Sequence, residues 1–323
     1  MKKKNKPYII AEIGSNHNQD ITEALNLIDV AKKAGANAVK FQIFKAEDLY
    51  KNKSLQNKVK KYEFNTSWYK KLNAYCKAKK IDIFASTFGK ESTNFLAKYN
   101  PPYIKWASSE LTKLSNLYQA ASFKIPMILS TGMADLAEVC EAVEVCKAAG
   151  NDKIILMHSQ SLYPTKNQDM NLNSLKVLKN IFHLSLGISD HSKNDISSIL
   201  AVAMGATYFE KHITMDKNQL GPDHHYALEP SEFENYVKNI HLAFKSMGKI
   251  DLQVHEEIKS NARKKSLYFR KNLKKGTILK PNHLMIKNNA IGISPRFSSA
   301  IIGNKITKTV LKNKPVKWMS LEK

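Results

Sequence analysis

Eight short runs rich in β-branched and aromatic residues recur along the first 250 residues, and amphipathic segments of helical length separate them. The runs are YIIAEIG (8–14), AVKFQIF (38–44), DIFAST (82–87), YIKWAS (103–108), PMILST (126–131), KIILMH (153–158), LSLGISD (184–190) and YFEKHI (208–213). The helical patterns include ITEALNLIDVAKKAG, which stops at Gly35 as a helix C-terminus should, SWYKKLNAYCKAKK, ADLAEVCEAVEVCKAAG, DISSILAVAMG and SEFENYVKNIHLAFKSMG. Eight strand–helix units in about 250 residues are the pattern of an α/β chain closed into a (β/α)8 TIM barrel. An open doubly wound sheet is the competing arrangement, but no phosphate-loop glycine fingerprint accompanies the repeats.

After Gly248 the pattern changes. A charged segment over 251–263 reads as a linker, and residues 264–323 carry short strands spaced by turn residues. They predict a small β-rich domain with a thin core, of the kind that docks on something larger.

Composition removes several function classes. The net charge is +23, yet only three of the 51 basic residues are Arg (Arg263, Arg270 and Arg296). Lys spread over every segment fits compositional drift better than a nucleic-acid face, which favours bidentate Arg. A positive field does favour anionic small substrates. No run approaches the length of a membrane span, and the basic N-terminus lacks the apolar stretch of a secretory signal. Cys76, Cys140 and Cys146 form neither a disulfide framework nor a metal motif, so a cytoplasmic location is expected.

In a barrel of this type the chemistry lies at the C-terminal ends of the strands. Those ends carry Glu12; Lys40 and Gln42; Ser86 and Thr87; Lys105, Ser108, Ser109 and Glu110; Ser130 and Thr131; His158 and Ser159; Ser189, Asp190 and His191; and Glu210, Lys211 and His212. Polar residues at every strand end indicate a site, because buried charge is costly unless paired or ligand-bound. Lys40 and Lys105, with the hydroxyls of Thr87, Ser108 and Ser189, suit a phosphate and a carboxylate. His191 and His212, on neighbouring strands, suit an open divalent-metal site; the alternative is two histidines merely hydrogen-bonded at the rim. Glu12 is either a partner for a lysine or a general acid–base. Asp223, in the GPD turn beyond the eighth strand, can accept hydrogen bonds from a polyol or serve the turn alone. A Schiff-base role for Lys105 or Lys211 is the weaker reading, because several cations together point to phosphate neutralisation.

With these residues in place the chain resembles the sialic acid (N-acetylneuraminate) synthase family of nonulosonate-forming enzymes over essentially its whole length. The resemblance rests on AEIGSNHNQD (11–20), AGANAVKFQ (34–42), FASTF (84–88), YIKWASSE (103–110), ILSTGM (128–133), YPT (163–165), GISDHS (187–192), FEKHIT (209–214) and GPDHHYALEP (221–230). ARKKSLYFRKNLKKGTIL resembles the start of the antifreeze-like (SAF) domain that ends such proteins. The resemblance implies condensation of phosphoenolpyruvate with an N-acyl mannosamine-type hexosamine, assisted by Mn2+ or a similar divalent ion (Mg2+ or Co2+), in a homodimer whose antifreeze-like domains cover the partner barrels. It assigns His191 and His212 to the metal, and Lys40, Thr87, Lys105, Ser108 and Ser189 to phosphoenolpyruvate. Glu12, Gln42, Glu110, Tyr163 and Asp223 become catalytic or sugar-handling groups.

Two positions depart from the family pattern. Ser161 stands where sialic acid synthases usually have an Asn facing phosphoenolpyruvate, as in legionaminate and pseudaminate synthases. Asn288 stands where the antifreeze-like domain normally presents an Arg to the N-acyl group, and Arg296 is the nearest cationic substitute. The intact GPDH motif favours a sialate- or legionaminate-like product. Rival readings are a synthase acting on another sugar, including a 6-phosphorylated hexosamine, and a non-catalytic sugar-binding relative. His224 and His225 receive no role from spacing.

Overall fold

Strand-forming runs of Ile, Val and Phe become a closed barrel of eight parallel strands in the computed structural model, which describes residues 6–248, 264–288 and 291–323. The strands are β1 (Tyr8–Gly14), β2 (Ala38–Ile43), β3 (Asp82–Thr87), β4 (Ile104–Trp106), β5 (Met127–Ser130), β6 (Ile154–Ser159), β7 (Ser185–Ser189) and β8 (Tyr208–His212), and β1 closes on β8. Each expected strand is present, most within a residue or two of its expected ends. The fourth is shorter than expected because Ser108–Glu110 turns as a 3-10 helix.

Local chemistry sets the helix ends. The first helix, Ile21–Ala34, is capped by the Asp20 carboxylate, which accepts from the Thr22 N–H, and it ends at Gly35 in the left-handed region (φ 90°). The helix Leu136–Ala148 starts on an Asp135–Glu138 capping box. Two short helices, Ala46–Leu49 and Lys53–Lys60, intervene between β2 and the expected helix, found at Tyr69–Lys79. Three further helices, Lys90–Ala97, Leu114–Ser122 and Ser174–Phe182, complete the alternation. They are only eight or nine residues long, too short for a strong helical period.

Period-two alternation divides every strand into an outward and an inward set. Outward residues such as Ile9, Val39, Ile83 and Leu129 pack beneath the helices. Inward residues form a floor of Tyr8, Ile10, Phe84, Tyr103, Ile128, Ile155, Met157 and Tyr208. Its hydroxyls are satisfied: Tyr8 donates to Asp82 (2.6 Å), and Tyr103 and Tyr208 share a 3.2 Å hydrogen bond. One step further along each strand the inward residues become polar. The floor therefore fixes the depth at which the charged residues sit.

The chain divides into two compact units, up to Gly248 and from Lys249. The expected linker, 251–263, lies outside the described residues. The second unit pairs Lys265–Phe269 with Leu284–Asn288 and Lys305–Ile306 with Leu321–Glu322, both antiparallel, around Leu267, Phe269, Leu279, Ile301, Ile306 and Val316. This matches the small β-rich domain expected, and a short helix, Ser298–Ile301, follows Phe297. Among the described residues no helix is long and apolar enough to cross a membrane.

Gly187 of β7 shows how closely the interior packs. A Cβ there would lie 2.9 Å from Tyr208 Cβ and from the Tyr208 carbonyl oxygen. Gly187→Ala should destabilise the barrel by about 1–3 kcal/mol, read as a lower urea midpoint with unchanged slope. An unchanged midpoint would mean that β7 and β8 are not packed as described.

Candidate active site

Four charged side chains meet above the floor. The inward residues of β1, β2, β4 and β8 bring Glu12, Lys40, Lys105 and Glu210 together, each almost wholly buried. Lys40 Nζ lies 2.8 Å from Glu12 Oε2 and 3.6 Å from Glu210 Oε1, and Lys105 Nζ lies 3.0 Å from Glu210 Oε2. Lys40 also donates to Ser86 Oγ (2.7 Å), and Lys105 rests 3.2 Å from the Met157 sulfur. Gln42 donates to Glu12 Oε1 (2.8 Å) and Ser189 donates to Glu210 Oε1 (2.9 Å).

The two carboxylates differ electrostatically. Burial raises the Glu12 pKa, with Glu210 adding to the rise, and Lys40 offsets only part of it. Burial also acts on Glu210, but Lys105 and Lys40 outweigh it and hold Glu210 well below the ordinary carboxylate range. Glu12 can therefore carry a proton near neutrality while Glu210 stays ionised, which is how acid and base roles are divided between paired carboxyls. Burial lowers Lys40, but Glu12 and Glu210 reverse the effect and its pKa is raised; Lys105 is lowered by its burial, with Glu210 in opposition.

His191 and His212 flank this set, with ring centroids 5.6 Å apart. Burial drives both imidazoles down to about 4, so both are neutral near pH 7. His191 Nδ1 lies 2.8 Å from the Gln160 carbonyl, to which it must donate, leaving a lone pair on Nε2, 3.2 Å from a Ser189 Oγ whose proton goes to Glu210. His212 Nδ1 is buried without a hydrogen-bond partner, and Asp223 Oδ2 stands 3.8 Å away. Two neutral rings with nitrogen lone pairs, one of them an orphaned buried atom, fit a divalent cation completed by water and substrate oxygens. Among the described residues no third His, Cys, Asp or Glu joins them in a ready-made ligand cluster.

The remaining expected residues divide into those at the cavity and those elsewhere. Ser108, Ser161, Tyr163 and Ser189 line it, together with Ser86, Ser109, Ser130 and Ser159. Asp223 stands over its edge: a Cβ on Gly14 (φ 54°) would meet Gln42 at 3.1 Å, Asp223 at 3.2 Å and Glu12 at 3.3 Å, so only glycine lets these three groups converge. Thr87 is displaced from the expected set. It lies on the outward side of β3, where its hydroxyl is 2.9 Å from that of Thr93, and Ser86 takes the inward position. Glu110 is buried in the turn after β4 with Lys113 at 2.8 Å, and is not among the cavity-lining residues. Asn288 and Arg296 belong to the second unit. Asn288 ends its strand exposed, and the exposed Arg296 holds its guanidinium 4.5 Å from the Phe297 ring centroid.

Two residues of the site received no role from the sequence. Glu210 was counted at the end of the eighth strand, and it shares the parity of His212, so strict period-two counting would have turned it inward. Tyr226 had no comparable signal. It is buried, donates to Asp223 Oδ1 (2.7 Å), lies 3.4 Å from His212 Nε2, and places its ring 5.6 Å from that of Tyr163. Lys211 faces outward, 3.2 Å from Asp190, which disposes of a Schiff-base role for it.

The sequence matches the NeuB family over residues 27–251. This chain belongs to that family. It is 37% identical to an N,N'-diacetyllegionaminic acid synthase of Campylobacter jejuni, covering 94% of this chain and 96% of the relative. It is 32% identical to a pseudaminic acid synthase of Campylobacter jejuni, covering 94% of each. Among solved structures, an N-acetylneuraminic acid (sialic acid) synthetase from Leptospira borgpetersenii, crystallised with citrate, superposes with a TM-score of 0.75 at 35% identity. That match covers 79% of this chain and 91% of the other. The named relatives are acid synthases, and this NeuB-family chain is an enzyme.

Burying His191 and His212 as neutral rings has a pH consequence. An unfolded imidazole titrates near 6.5, so below that pH the unfolded chain binds protons that the folded chain refuses. The stability contributed is complete above pH 6.5 and is lost as pH falls toward 4. Between pH 7 and 5 each ring should account for about 2 kcal/mol of that loss. Urea unfolding at the two pH values should show a clearly smaller difference in a His191→Gln/His212→Gln variant than in the wild type. An equal difference would contradict the neutral, buried assignment.

Proposed function

We propose that the protein condenses phosphoenolpyruvate with an N-acyl mannosamine-type hexosamine to give a nine-carbon 2-keto sugar acid and inorganic phosphate. The observation that carries this reading is the buried Glu12–Lys40–Glu210–Lys105 set beside two neutral histidines, in a NeuB-family chain whose relatives are named for such acids. In the balanced reaction C3 of phosphoenolpyruvate bonds to the sugar aldehyde carbon, the aldehyde oxygen gains a proton, water adds at C2, and the C2–O bond breaks to release phosphate.

Each of these changes has a residue suited to it. Lys40 and Lys105, with the hydroxyls of Ser86, Ser108 and Ser189, bind the phosphate and carboxylate of phosphoenolpyruvate. Ser161 adds a hydroxyl at the same wall. Glu12, whose raised pKa lets it hold a proton, delivers it to the aldehyde oxygen and accepts one from the attacking water. Gln42, Tyr163 and Asp223 orient sugar hydroxyls. His191 and His212 would hold a divalent ion, Mn2+ in this reading, which would supply Lewis acidity. The GPDH motif and the higher identity to the legionaminic acid synthase support a sialate- or legionaminate-type product over pseudaminate. A homodimer in which the antifreeze-like second unit of one chain, carrying Asn288 and Arg296, reaches the partner's sugar site completes the proposal.

Phosphate release across N-acetylmannosamine, a diacetylated deoxy analogue and a 6-phosphorylated hexosamine, with and without chelator, tests the reading. Release should require phosphoenolpyruvate and an unphosphorylated mannosamine-type sugar, should stop with chelator, and should vanish in His191→Ala or His212→Ala. No release with any sugar would support a non-catalytic sugar-binding protein instead. Glu12→Gln should lower kcat at least about 100-fold while the phosphoenolpyruvate KM stays within about threefold. Near-normal kcat would remove Glu12 from proton transfer.

A further inference from the structure

His224 has no role in the chemistry above, yet it is fully buried and both its ring nitrogens are engaged. Nδ1 lies 2.7 Å from Thr214 Oγ1, at the start of the loop after β8, and Nε2 lies 3.0 Å from Asn18 Oδ1, in the loop after β1. The Asn18 oxygen only accepts, so Nε2 carries the ring proton and Nδ1 turns its lone pair to the Thr214 hydroxyl. Gly221 leaves the space for this ring: a Cβ there would lie 2.6 Å from His224 Cδ2, and a ring tied at both ends cannot give way.

Other contacts join the same two loops. Asn16 donates to the Ile213 carbonyl (2.9 Å), and Asn18 donates to Gln219 Oε1 (2.6 Å). The base of the β8 loop is closed by backbone bonds from Leu228 N to His212 O (2.9 Å) and from Thr214 N to Leu228 O (3.0 Å). Closure at the base leaves the far part of the loop without regular structure except the turn His224–Tyr226. His224 is the buried side chain that ties this part to the first loop of the barrel. Its neighbours are Asp223 and Tyr226, the two residues that reach His212.

We infer that His224 is a positioning residue: clasped between Thr214 and Asn18, it holds Asp223 and Tyr226 over His212, and so sets the sugar-facing lip without touching substrate. The functional half of this inference rests on the proposed reaction; the structural half does not. None of the hydrogen bonds of the clasp involves Lys40 or Lys105, so its loss should separate the two substrates.

His224→Ala and Asn18→Ala are tested side by side, with His224→Gln as the conservative replacement, by steady-state kinetics and amide hydrogen exchange. Each Ala variant should raise the sugar KM at least about tenfold with the phosphoenolpyruvate KM within about twofold, and should speed exchange over residues 214–228. The double variant should be no worse than His224→Ala, because both changes open one clasp, and His224→Gln should recover part of the loss. If His224→Ala fails to fold, Asn18→Ala carries the same expectation from the accessible side of the clasp. Equal rises in both KM values, or unchanged exchange over 214–228, would overturn the inference. If no sugar is turned over at all, the proposed reaction fails while hydrogen exchange still decides the clasp.

Discussion

Two carboxylates and two ammonium groups share the centre of the barrel, and neither sign could be buried there without the other. Removing one member of such a set leaves an uncompensated charge in a dry site, at a cost of about 3–5 kcal/mol. Lys40 bridges Glu12 and Glu210, Lys105 contacts both oxygens of Glu210, and Ser86, Gln42 and Ser189 each hydrogen-bond one of the four. The aromatic floor below lets none of them sink deeper. The site thus exists before substrate arrives, and its lysines are already oriented by carboxylates that an incoming anion can replace as partners.

The same set explains how two glutamates on adjacent strands come to differ. Glu12 faces one lysine and Glu210 faces two, and in a low-dielectric site that single difference separates their affinities for a proton. The histidines lie beside the charges and are kept neutral by burial. An acid, an ionised carboxylate, two cations and two neutral nitrogen donors stand together on one rim, and each owes its state to its neighbours.

Much of this was legible in the sequence. Strand runs are short and β-branched, so all eight could be counted, and the rule that chemistry sits at strand ends brought out Glu12, Lys40, Lys105, His191 and His212. What failed was the parity within a strand. Thr87 and Lys211 lie at strand ends but on outward positions, while Ser86 and Glu210, one step back, turn inward. Tyr226 and His224 were illegible for another reason. Their roles depend on where a long loop folds back onto Asn18, more than two hundred residues earlier, and no periodicity encodes that meeting. Asn288, at the position where the family has Arg, and Arg296, its nearest cationic substitute, are both exposed in the second unit.

The central claim is that Lys105 and Lys40 are anion receptors held in readiness by Glu210 and Glu12. Calorimetric titration of phosphoenolpyruvate into the wild type, Lys105→Met and the surface control Lys147→Met tests it most directly. Lys105→Met should bind at least about tenfold more weakly than the wild type, with the control unchanged, because one charge-assisted contact is worth about 1.5–3 kcal/mol. Wild-type affinity in Lys105→Met would contradict the account.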